Sequence, residues 1–172
     1  MKNTWRRLSD RREVSVGEYI KSWMKDNPEH KVYIGCDSQN TGNKTVYATV
    51  IVLHYIDSGG AHVIYNKQTV PRIRTKKPDE DLFIRLWKEV EYSIETVSLL
   101  EEYDIGKPDY VDIDLNPDPM YRSNGLLLQA LGLIESMGME ARWKTKSPWA
   151  ISIADAICKP KKKRNRKRSK RR

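Results

Sequence analysis

"VYIGCDSQNTG", Val32–Gly42, reads as a short buried strand, Val32–Cys36, that ends on an acid and passes directly into Ser38, Gln39 and a turn. Burying an ionised carboxylate without a partner costs several kcal/mol. Asp37 therefore calls for a cation, a metal or several donors supplied from elsewhere in the chain.

Working outward, Ser15 and Glu18 have capping-box spacing, with Val14 and Tyr19 as a hydrophobic staple, and they predict a helix over Val16–Lys25. Two β-rich runs, Thr45–Tyr55 and Ala61–Val70, follow the Val32–Cys36 strand and are separated by the turn signal "IDSGG". The apolar period then changes from two to nearly four, predicting a long helix over Asp79–Tyr103. A strand over Asp109–Leu115, a helix over Ser123–Met137 closed by Gly138, and a short strand over Met139–Lys144 come next. A last helix over Pro148–Cys158 has Ser147 as its cap. This β-β-β-α-β-α-β-α order makes an α/β fold. Its first three strands form an antiparallel meander, and the later strands join in parallel through right-handed crossovers, giving a mixed five-stranded sheet flanked by helices. Residues 1–14 form an N-terminal segment, 15–158 the folded domain and 159–172 a tail.

In that topology "YVDID" lies beside "YIGCD", which brings Asp112 or Asp114 next to Asp37. Both acids of "DID" share one face because strand side chains alternate. Carboxylates converging in this way repel one another unless a hard divalent cation sits among them, so Mg²⁺ or Mn²⁺ is the expected partner of Asp37. On the long helix Glu89 falls at the margin of the apolar face, whereas Glu91 and Glu95 point to solvent. In the last helix Asp155 lies among the packed residues Ile151, Ala154 and Cys158.

The formal charge is +9, and it is unevenly placed. From Lys159 to Arg172, "KPKKKRNRKRSKRR" carries 11 of the 32 lysines and arginines and no acid, leaving the remainder close to neutral. Such a block is expected to stay a solvated arm that neutralises phosphates, through Lys161, Lys162, Lys163, Arg164, Arg166, Lys167, Arg168, Lys170, Arg171 and Arg172. Lys144 and Lys146, beside Trp149, are further candidates for contact with a strand, and Ser38 and Gln39 for sugar or phosphate. Cys36 and Cys158 lack metal-ligand spacing and read as two reduced thiols. His54 and His62 read as cross-strand residues, and no Walker-type glycine loop is present. No stretch has the length and apolarity of a membrane span or a signal peptide, so a cytoplasmic protein is expected.

"VYIGCDSQ", the "VPR" to "LWKEV" passage, "YVDIDLN" and "IESMGMEARWKTKSPWAISIADA" together resemble the ribonuclease-H-like YkuK-type family of bacteria and phages, over roughly Ser15 to Lys159. The resemblance implies the ribonuclease H fold and a setting in a bacterial cell or phage-infected host. It also implies phosphodiester hydrolysis with two metal ions: Asp37 bridging them, Glu89 and Asp112 each holding one, and Asp155 completing the second site. "DLNPDP" is longer than the glycine-containing connection the resemblance implies, and it makes Asp114 a further candidate ligand. The expected partner is RNA, DNA or a hybrid. The competing reading is a scaffold that binds nucleic acid without cutting it.

Overall fold

The computed structural model describes residues 4–56, 59–143 and 149–159. In chain order the elements are β1 (Trp5–Arg7), β2 (Glu13–Val14), α1 (Val16–Asp26), β3 (His30–Thr41), β4 (Lys44–Tyr55), β5 (Ala61–Pro71), α2 (Pro78–Glu102), β6 (Tyr110–Asp112), α3 (Asn124–Ser136), β7 (Glu140–Arg142) and α4 (Trp149–Cys158). Strands β5-β4-β3-β6-β7 lie in that order, antiparallel through the meander and parallel from β3 to β7. This is the expected mixed five-stranded sheet.

Three features differ from the sequence reading. The β1–β2 hairpin docks on the free edge of β5, with Trp5 opposite Asn66, and raises the sheet to seven strands. Strands of three and two residues are too short to show an alternating pattern. Strand β3 does not stop at Asp37. It continues to Thr41, in register with β4 around a tight turn at Gly42 and Asn43, where Gly42 takes a positive φ of 59°. Asp37 thus sits inside a strand opposite Ala48, because the hairpin turn rather than the first polar residue sets where pairing ends. Finally, Ser15 occupies the N-cap of α1, but its side chain makes no capping bond; the Tyr19 N–H bonds to the Ser15 carbonyl instead.

Period-two alternation divides the core. Val32 and Ile34 of β3, with Ile51, Leu53, Ile64 and Val111, face α1, α2 and α3 and form the larger cluster. Tyr33, Ala48, Val50 and Val52 face the other way, against Ala150, Ala154 and Cys158 of α4. Cys36 and Cys158 are buried free thiols, as expected. No helix among the described residues is long and apolar enough to cross a membrane.

Helix α4 lies close on the sheet because β3 carries Gly35 beneath it. A Cβ at Gly35 would lie 2.9 Å from the Ala150 Cβ and 3.2 Å from the Asp112 carbonyl oxygen. Gly35→Val is therefore expected to destabilise the protein by at least about 1–3 kcal/mol, the usual cost of overpacking. Denaturant unfolding checks this, and a midpoint equal to that of the unmodified chain would show that α4 is not seated on this strand.

Candidate active site

Strands β3 and β6 pair only over Tyr33–Gly35 and Tyr110–Asp112, after which the two chains part. The crevice beyond the carboxyl ends of adjacent parallel strands is where open α/β sheets place their ligands. Here side chains from both faces of the sheet reach one region. Asp37 shares the α4 face with Tyr33 and Gly35, whereas Ser38 shares the α2 face with Ile34 and meets Glu89. A narrow cleft at this point is lined by Cys36, Glu89, Ser93, Asp112 and Asp114.

Asp37 is 7% exposed. Burial pushes its carboxyl up to about 6; the Ser38 backbone N–H and Arg85 oppose the shift, while Asp114 and Asp155 add to it. Glu89, 4% exposed, is pushed up to about 8, again first by burial and then by Asp37 and Asp114. Against this, the Arg85 guanidinium donates to Glu89 at 3.1 Å and to the Ser38 hydroxyl at 2.6 Å, and that hydroxyl donates to Glu89 at 2.5 Å. Four carboxylates, Asp37, Glu89, Asp114 and Asp155, thus share an electrostatic neighbourhood. Each comes from a different segment: β3, α2, the chain after β6, and α4.

Asp112, which lines the same cleft as Glu89 and Asp114, is held differently. It is wholly buried and accepts two hydrogen bonds from Arg142, at 2.9 and 3.1 Å, and a third from the Ala150 N–H at 2.8 Å, in the first turn of α4. Burial raises its pKa, opposed by these donors. The Arg142 guanidinium lies over Tyr33 and Tyr110, 4.5 and 4.6 Å from the ring centroids, and the two rings are stacked on each other. Three hydrogen bonds from protein donors thus hold the carboxylate expected to bind a metal, and Asp114, two residues on and past the end of β6, is the acid that influences both Asp37 and Glu89.

The other predicted residues divide. Ser38 is buried, and its hydroxyl is held between Glu89 and Arg85; Gln39 is exposed. Asp155 is half-buried and paired with Lys159. Trp149, 42% exposed, packs on Tyr33 and edge-on to His54. Lys144, Lys146 and the tail from Lys161 to Arg172 lie outside the described residues. Sequence reasoning missed Arg85 and Arg142. The i,i+4 spacing of Arg85 and Glu89 was a usable signal, whereas nothing local ties Arg142 to Asp112, thirty residues away.

All four clustered donors are carboxylates, the ligand chemistry of hard dications such as Mg²⁺ and Mn²⁺. In their present rotamers, no three His, Cys, Asp or Glu side chains among the described residues are gathered around one metal-sized point. Arg85 and Lys159 hold Glu89 and Asp155 in ion pairs instead. The chain belongs to the ribonuclease H-like family, whose model matches residues 15–159. Searches of curated proteins and of solved structures found no match.

The charge cluster fixes a pH dependence. Without a cation, the folded protein retains protons on Asp37 and Glu89 that the unfolded chain releases near the ordinary carboxylate values. Stability from these groups is thus present in acid and lost as pH rises through about 6 and about 8. In EDTA the melting temperature is expected to fall between about pH 5 and about pH 8.5, and Glu89→Gln is expected to flatten that fall. Equal slopes for the two proteins would contradict the charge assignment.

Proposed function

We propose that the chain is a metal-dependent nuclease whose site is Asp37, Glu89, Asp114 and Asp155. The observation that carries this reading is the effect of Asp114 and Asp155 on Asp37, and of Asp37 and Asp114 on Glu89, where β3 and β6 part in a ribonuclease H-like domain. Mg²⁺ or Mn²⁺ held by these carboxylates would supply a water activated at neutral pH and neutralise charge on the phosphate. The residues themselves have separable tasks. Asp37, buried on a rigid central strand, fixes one fully charged oxygen donor once a cation lowers its pKa. Glu89 must exchange its Arg85 and Ser38 partners for the cation, and Asp155 must exchange Lys159. Arg85, freed in this way at the mouth of the site, is placed to meet a phosphate oxygen. Asp112 takes no part in ligation; it anchors the helix that carries Asp155.

Nucleic acid would be retained by the basic run from Lys161 to Arg172, together with Lys144 and Lys146, through phosphate neutralisation that weakens with salt. Gln39, exposed beyond Asp37 on the same face, adds a polar contact to sugar or phosphate. A non-cutting nucleic-acid-binding scaffold is the second reading, favoured by the ion pairs that already occupy Glu89 and Asp155.

Incubation of the full chain with labelled RNA, DNA and hybrid oligonucleotides in Mg²⁺ or Mn²⁺ separates the two readings. The nuclease reading predicts metal-dependent cleavage that falls at least about a hundredfold in Asp37→Asn and in Asp114→Asn, beyond the loss typical of an outer-sphere change. Retained binding with no cleavage on any substrate would establish the scaffold reading.

A further inference from the structure

Beside Asp114 the surface opens into a cavity of about 330 Å³ that the acid cluster does not occupy. Its floor is apolar, from Leu82 and Leu86 on the first turns of α2, and its wall is the loop after β6, which contributes Asn116, Tyr121 and Arg122. The loop is shaped by its own hydrogen bonds. The Asn116 side chain accepts from the Asp118 N–H at 3.0 Å, and the Asp118 carboxylate accepts from the Met120 N–H at 2.9 Å. The Asn124 amide donates to the Pro117 carbonyl at 2.7 Å, and the Ser123 hydroxyl accepts from the Asn116 N–H at 3.2 Å.

These bonds hold the backbone and leave two side chains outward. Tyr121 is 55% exposed, a large aromatic surface that the core does not use. Arg122 pairs with Asp79 at the start of α2, with both side chains about 70% exposed. An ion pair so open to water is worth little, so Arg122 can exchange Asp79 for another anion at small cost.

We propose that this cavity receives one unpaired nucleotide of a single-stranded nucleic acid, its base against Tyr121 and the leucine floor and its phosphate toward Arg122. The inference rests on the reading of Asp114 as part of a phosphodiester site and adds the form of the substrate. An aromatic side chain recognises the π-face of a base, and in a duplex both faces are covered by stacked neighbours. The volume lies at the small end of the range for small-ligand sites, about 300–1,000 Å³, which is room for a single nucleotide. The combination of an apolar floor, one aromatic ring and one exchangeable guanidinium suits base stacking with phosphate contact, and Asn116 and Ser123 also line the cavity. The site therefore distinguishes strandedness.

Equilibrium binding to a fluorescent ten-nucleotide single strand and to the same strand in a blunt duplex, with the full chain in EDTA, tests the proposal. The basic tail cannot produce a preference for the single strand, since counterion release favours the more densely charged duplex. The unmodified chain is expected to prefer the single strand; Tyr121→Ala is expected to weaken single-strand binding about tenfold while leaving the duplex unchanged, and Tyr121→Phe to retain the preference. Equal affinity for the two forms, or a preference that survives Tyr121→Ala, would overturn it. Because nothing is cut in EDTA, failure here is distinct from failure of the nuclease reading, which shows as absent metal-dependent cleavage.

Discussion

A carboxylate with no access to water, Asp112, is the point on which the geometry of the site depends. Its charge is matched by a guanidinium that is itself sandwiched against two stacked tyrosines and by a helix N-terminal N–H, so three elements are tied to one side chain. Removing only one partner of such a pair typically costs about 3–5 kcal/mol, because the other charge is left buried. The pair fixes β7 beside β6 and the start of α4 over β3. Gly35 then allows α4 to approach closely enough for Ala150 and Ala154 to pack on the sheet, which carries Asp155 over the Asp37 side. One buried ion pair therefore helps position an acid little more than one helical turn along α4 from its own contact there.

Much of this was legible in the sequence, and the exceptions have physical causes. The alternation of strand and helix periods yields the five central strands and their order, and the helical angle of Glu89 relative to Leu82 and Leu100 identifies it as the acid facing the sheet. That Asp112, and not Asp114, carries the buried Arg142 pair was not legible. A spacing of two places both on one face only while the strand lasts, and β6 ends at Asp112. Which acid remains available depends on Arg142, a partner brought in by the parallel pairing of β7. The same limit explains Asp37: its neighbours predict the end of the apolar run, whereas the end of the strand is set by the turn at Gly42.

The electrostatic design is a concentration of negative charge at one place in a chain that carries a formal charge of +9. Within the domain, Arg85 and Lys159 act as resident counter-cations for Glu89 and Asp155. Such pairing offsets part of the cost of holding these carboxylates at the site. The raised pKa values of Asp37 and Glu89 report the same frustration: two carboxyl groups held where burial makes charge unfavourable. The neighbouring groove, with an aromatic ring and an arginine on a self-bonded loop, is lined in part by Asp114.

Calorimetric titration of Mn²⁺ into the full chain and into Asp114→Asn, without nucleic acid, tests the central assignment most directly. The assignment predicts saturable binding to the unmodified chain at millimolar or lower concentration and its loss in the variant. Binding of equal strength in both, or none in either, would contradict a metal site built on Asp114.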